Sequence, residues 1–130
     1  MKRLFLIVFT FSLISICSAA VSAQASKRIT FAKGVTSKIV TGTVNSYKSV
    51  RTFVIHVKKG QTLTTESVDS LITIGVEAPP GSTYEQDMAA DCHDHNEVNP
   101  TAAGDYKITV TECTKGDEWK GTFKFRITVK

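Results

Sequence analysis

A length of 130 residues bounds the chain to a single domain with a modest core. Its formal charge of +4 includes no basic tail and no run of arginines, so a nucleic-acid partner is not expected.

The chain opens with Lys2 and Arg3, continues as an almost unbroken apolar run from Leu4 to Ile16, and then turns small through Ser18 to Ala25. Charged start, apolar middle and small-residue end are the three parts of a secretory signal peptide, here residues 1–25, with a cut after Ala23 or Ala25. The apolar run is shorter than the roughly 20 residues a membrane-spanning helix needs, so no membrane insertion is expected. Ile16 stands where a lipoprotein signal wants a small residue, which argues against acylation of Cys17. Processing leaves a domain of residues 26–130 with a formal charge of about +2, destined for the periplasm or beyond.

From Arg28 onward the apolar residues recur every second position. Phe53, Ile55 and Val57 form one such set, then Ile72, Ile74 and Val76, then Tyr106, Ile108 and Val110, and finally Phe123, Phe125, Ile127 and Val129. This rhythm marks antiparallel strands with one wet face. The spacing predicts strands near 28–31, 37–45, 51–59, 61–69, 71–77, 105–113 and 120–130. Gly42 inside a strand points to a bulge or a close backbone approach. Lys58-Lys59-Gly60-Gln61 reads as a tight hairpin, and Thr114 to Asp117 as the turn joining the last two strands. Seven to eight short strands without a helix predict an all-β, antiparallel, jelly-roll-like sandwich.

Residues 82–103 break the rhythm and read as a long polar loop, a type that tends to carry function. Cys92 lies within it. After export, Cys92 and Cys113 are an even pair in an oxidising compartment and are expected to form a disulfide that pins this loop to the turn after residue 113. Around Cys92 stand Asp87, Asp91, His93, Asp94, His95, Asn96 and Glu97. His93, Asp94 and His95 are the candidate metal ligands. Their spacing matches no dedicated site, and a solvated acidic loop is the plainer reading. No cofactor is expected. His56 falls on an outer strand face, and nothing resembles a nucleophile elbow or an acid–base pair, so the chain is not expected to be an enzyme.

Two aromatics fall in turns. Tyr47 lies between the second and third strands, and Trp119 lies beside Asp117, Glu118 and Lys120. Ringed by charge, such residues either anchor recognition of a protein or sugar or cover the end of the core.

Phe31-Ala32-Lys33-Gly34, Gly42 through Tyr47, Phe53, Lys58 to Gln61, Ala103-Gly104-Asp105-Tyr106 and the closing alternation to Lys130 together resemble the periplasmic inhibitors of g-type lysozyme. The same pattern is shared with the wider bacterial pre-peptidase C-terminal domain family. The resemblance covers the whole mature chain. It implies a jelly-roll-like sandwich whose loops plug a lysozyme cleft. The contacts it implies are Tyr47, then Ala103 and Gly104, then Lys115, Trp119 and Lys120 from the last connection. The chain departs from that family at Ala103, where the family has a serine, and in a last connection with lysines and acids in place of arginines. The alternative is a free-standing pre-peptidase-like module that binds glycan or cell-wall polymer through exposed aromatics such as Trp119.

Overall fold

A computed structural model describes residues 25–86 and 90–130. The leader expected over 1–25 lies, apart from Ala25, outside the described residues, as does Asp87.

Eight strands follow one another: β1 Lys27–Ile29, β2 Ser37–Val44, β3 Val50–Val57, β4 Leu63–Ser67, β5 Ile72–Glu77, β6 His95–Val98, β7 Gly104–Glu112 and β8 Gly121–Val129. No helix occurs among the described residues. The strands form two four-stranded sheets, ordered β1-β3-β7-β5 and β2-β8-β4-β6. Odd-numbered strands fill one sheet and even-numbered strands the other, so every connection crosses between the layers. The winding of β2-β8-β4-β6 over β3-β7-β5 is that of a jelly roll, and all pairings are antiparallel except β1 with β3.

The period-two residues supply the core. Phe53, Ile55, Val57, Ile72, Ile74, Val76, Tyr106, Ile108, Val110, Phe123, Phe125 and Ile127 are all buried between the sheets. Phe53 meets Phe125 and Phe123 edge-on, with centroids 5.4 and 6.3 Å apart, an arrangement favoured by the ring quadrupoles. Gly42 faces inward opposite Phe123, and a Cβ there would lie 2.8 Å from the ring Cε1. Of the two readings of that glycine, close approach is the one found. The β2–β8 register runs without a bulge.

Two expectations need correction. Lys58 to Gln61 is a tight turn, with Gly60 at φ +82°, but β3 and β4 belong to different sheets, so it is a corner and not a hairpin. The same holds for the connection between β7 and β8. A turn signal encodes a reversal of the chain, and the partner is chosen by burial. Second, residues 82–103 are not without regular structure, because they contain β6. Its inward positions are Asn96 and Val98, and a polar residue at a buried position conceals the alternation.

Asn96 is satisfied on every side. Its Nδ2 donates to Thr65 Oγ1 (3.1 Å) and to the Ile74 carbonyl (2.8 Å). Its Oδ1 accepts from Tyr84 Oη (3.0 Å) and meets His93 Nε2 at 3.0 Å. Gln86 bridges Ile74 and Val76 of the same strand, and Ile74 N donates to the His93 carbonyl at 2.7 Å. Gln86, His93 and Asn96 thereby cover the open edge of β5, which would otherwise be free to pair with another chain. At the other edge of that sheet, Arg28 of β1 grips Asp105 through two bonds of 3.3 and 2.8 Å. His56 Nδ1 lies 3.1 Å from the same carboxylate, and its side chain is exposed. Together they hold the Asp105 carboxyl down to about 2, Arg28 contributing most.

Candidate functional site

The sandwich has two ends. At one, here the base, lie the corners 58–62 and 99–103. At the other, the tip, lie the connections 45–49, 68–71 and 113–120 and the stretch 90–94.

Tyr47 stands in the β2–β3 turn. Ser49 closes that turn by donating its N–H to the Ser46 carbonyl and accepting from Asn45 N on its hydroxyl, a local bond that suits serine to turns. From there Tyr47 reaches the β7–β8 connection. Its phenol donates to the Gly116 carbonyl at 2.5 Å, and its N–H donates to Glu118 Oε2 at 3.3 Å.

The rest of the β7–β8 connection is tied down by carboxylates and a disulfide. Asp91 accepts from the Thr114 hydroxyl (2.6 Å) and from the Thr114 N–H (3.1 Å). These bonds, the hydroxyl first, hold the Asp91 carboxyl below its usual range. Cys92 bonds to Cys113 with Cα atoms 4.7 Å apart, which bears out the expected staple between the acidic stretch and the turn. Glu112 Oε1 accepts the Trp119 N–H at 2.6 Å. The connection is thus fixed at its start, its middle and its end, and a loop ordered beforehand loses less entropy on binding.

The tip presents apolar surface framed by charge. Tyr47, Val50 and Leu71 are exposed, Leu71 at 63%. Lys48, Lys115, Lys120, Asp117 and Glu118 surround them, all exposed. A hollow of about 250 Å³ lies between Leu71, Asp94, Lys115, Gly116 and the disulfide. Partial desolvation raises the Tyr47 phenol above its ordinary value, and Glu112, Asp117, Glu118 and Asp91 add to the shift. Tyr47 is therefore a neutral hydrogen-bonding aromatic in water near neutral pH. A second depression, of about 690 Å³, runs along the outer face of β5 and β7, floored by Thr73, Gly75, Thr109 and Thr111 and walled by Tyr84 and Gln86.

Of the residues singled out from the sequence, Tyr47, Lys115 and Lys120 come together at the tip. Trp119 is there too, but as part of the core: its ring packs against the buried cluster and its Nε1 is buried. It is not an exposed anchor, because the connection folds its ring inward against the core, with Cζ3 close to Gly121. Ala103 and Gly104 lie at the base, separated from the tip by the nine residues of β7, roughly 27 Å at about 3.4 Å per residue. Gly104 has a structural task there: φ is +143°, and a Cβ would meet Pro79 Cβ at 2.8 Å. His93, Asp94 and His95 do not converge. His93 is engaged by Asn96, and His95 sits on the outer face of β6. Among the described residues the group drawn closest is Asp91, Cys92 and Cys113, whose sulfurs are spent in the disulfide.

Sequence reading missed Val50, Leu71, Asp91 and Glu112 as parts of this end. For Glu112 a signal existed, since the parity of Tyr106, Ile108 and Val110 already points residue 112 inward. For Leu71 a signal existed too, since the parity of Ile72, Ile74 and Val76 points residue 71 outward.

No family model and no curated protein matches the chain. Solved structures do match it in fold. The periplasmic lysozyme inhibitor of g-type lysozyme from Aeromonas hydrophila, PliG, superposes with a TM-score of 0.61 at 20% identity, over 81% of this chain and 96% of that one. PliG from Salmonella Typhimurium gives 0.58 at 17% identity over 82% of this chain and all of its own. A mutant of the Escherichia coli protein gives 0.57 at 21% identity, over 82% and 100%. At these identities the likeness is one of fold: the chain has the jelly-roll sandwich of these inhibitors over nearly their whole length.

Proposed function

We propose that the chain is an exported, non-enzymatic protein that inhibits a g-type lysozyme by inserting its tip into the enzyme's cleft. The observation that carries this reading is the rigid tip itself, where Tyr47, held on Gly116 and Glu118, stands among exposed Leu71, Val50 and three lysines. A pre-ordered, partly exposed aromatic with lysines and two acids around it can dock in a concave cleft, its lysines facing catalytic carboxylates, and it needs no chemistry of its own. The fold shared with g-type lysozyme inhibitors supports the assignment, and their periplasmic setting agrees with the leader read from residues 1–25. In this reading Ala103 and Gly104 lie outside the docking surface.

The test is residual activity of g-, c- and i-type lysozymes after incubation with the mature domain. We expect stoichiometric loss of g-type activity at micromolar concentration. Tyr47→Ala should weaken inhibition roughly 30-fold, about 2 kcal/mol for a central aromatic anchor. Unchanged g-type activity in the presence of excess wild-type protein rejects the proposal. The glycan reading loses Trp119 as an exposed platform. It would have to use the threonine-floored depression on β5 and β7, and retention on insoluble peptidoglycan tests it.

A further inference from the structure

Glu112 is the one acidic side chain buried in the described core, 1% exposed. It is the last residue of β7, opposite Ile72 of β5, and continues the inward set of Tyr106, Ile108 and Val110. One of its oxygens takes the Trp119 N–H, while Oε2 has no hydrogen-bond partner among the described residues. No salt bridge reaches it among the described residues. As a contributor to stability this is a poor choice. A desolvated carboxylate with an unmatched oxygen is costly, and an apolar side chain of similar volume often serves better at such a place.

What the carboxylate accomplishes is local. The β7–β8 connection is secured at its start by Cys113 and by Asp91 on Thr114, and at its middle by Tyr47 on Gly116. Its end is secured by Glu112 on Trp119, seven residues downstream. Without that acceptor the Trp119 N–H loses its partner, and the segment carrying Lys115, Asp117, Glu118 and Lys120 is held at that end only by the packed Trp119 ring and the start of β8.

We infer that Glu112 is a positioning residue: from inside the core it sets the binding shape of the 113–120 connection, at the expense of fold stability. The inference rests on the inhibitor reading for its functional half only. Two apolar replacements, Glu112→Met and Glu112→Leu, remove the acceptor at similar volume, and Glu112→Gln keeps an acceptor oxygen. In Glu112→Met we expect a melting temperature equal to or above that of the parent, Trp119 amide exchange at least ten-fold faster, and g-type lysozyme inhibition at least ten-fold weaker. Glu112→Gln should stay within about three-fold of the parent in both exchange and inhibition.

Trp119 amide exchange in the parent protein should already be slower than that of Lys115 and Glu118, which needs no variant. A parent Trp119 amide that exchanges as fast as those neighbours overturns the inference. So does a Glu112→Met or Glu112→Leu protein with parental inhibition, or a fall in melting temperature large enough to account for the lost inhibition. Should the parent inhibit no lysozyme, the inhibitor reading fails by itself, and the exchange and melting data still decide whether Glu112 orders the connection.

Discussion

The two ends of the sandwich are closed in different ways. At the base, main chain meets main chain: Gly60 N donates to the Thr101 carbonyl and Thr101 N to the Gln61 carbonyl, each at 2.9 Å. The buried Thr101 hydroxyl adds a bond to the Lys58 carbonyl. The Tyr106 phenol bonds back to both backbone groups of Ala102, a tyrosine corner of the kind other sandwiches use. At the tip, main-chain bonds such as Cys113 N to the Leu71 carbonyl (3.1 Å) and Ser67 N to the Asp94 carbonyl (2.9 Å) are joined by carboxylate ties through Asp91 and Glu112, by Tyr47 and by a disulfide, and large apolar residues remain in water. In the inhibitor reading proposed above, the base has to hold the layers together and the tip has in addition to meet a partner.

Substitutions at the two ends should therefore separate stability from binding. The largest stability effect is expected from Cys92→Ser with Cys113→Ser. Opening the loop, whose ends are 21 residues apart, should cost about 3 kcal/mol in denaturant titrations. An unchanged midpoint would mean that the tip is ordered without the bond. Gly104→Val at the base comes next. It forces a β-branched side chain to φ +143° and onto Pro79, and should cost on the order of 2–3 kcal/mol by thermal melting. Its inhibition should fall only as far as the folded fraction does.

Thr101→Val removes a buried hydroxyl that serves both Lys58 and Gln61, and about 1–2 kcal/mol should be lost from the same base corner. The smallest effect is in acid. The Asp105 carboxyl is lowered from 3.8 to about 2 in the folded protein, so its ion pairing contributes fully above about pH 4 and is lost as pH falls toward 2. Melting temperature followed across that window should decline less steeply in Asp105→Asn than in the parent. Identical slopes would remove Arg28 and His56 as contributors.

The layers were legible in the sequence because burial writes itself as parity: Phe53, Ile55 and Val57, or Phe123 through Val129, need no partner to reveal which face is dry. The pairing was not, since Lys58 to Gln61 gives a corner or a hairpin with the same residues. β6 escaped because Asn96 is buried through four bonds whose partners lie 12 to 31 residues away or three residues upstream. At the tip, the exposed turn position of Tyr47 and the disulfide could be read from turn signals and cysteine count. Trp119 could not, because the same turn can aim an indole outward or fold it under the loop. Ala103 and Gly104 were named with Tyr47 through motif likeness, and the length of β7 puts them at the opposite end of the sandwich.

Alternation of consecutive strands between the layers governs how this protein can reach its native state. Among the described residues the nearest positions that pair, Lys27 and Phe53, are 26 residues apart, and the β2 and β8 partners Ser37 and Thr128 are 91 apart. No hairpin can form first and serve as a template. Nearly all the stabilising contacts arrive only after wide stretches of chain have closed, which places folding in the slow regime of roughly milliseconds to seconds. Until then its β-forming segments remain available to other chains.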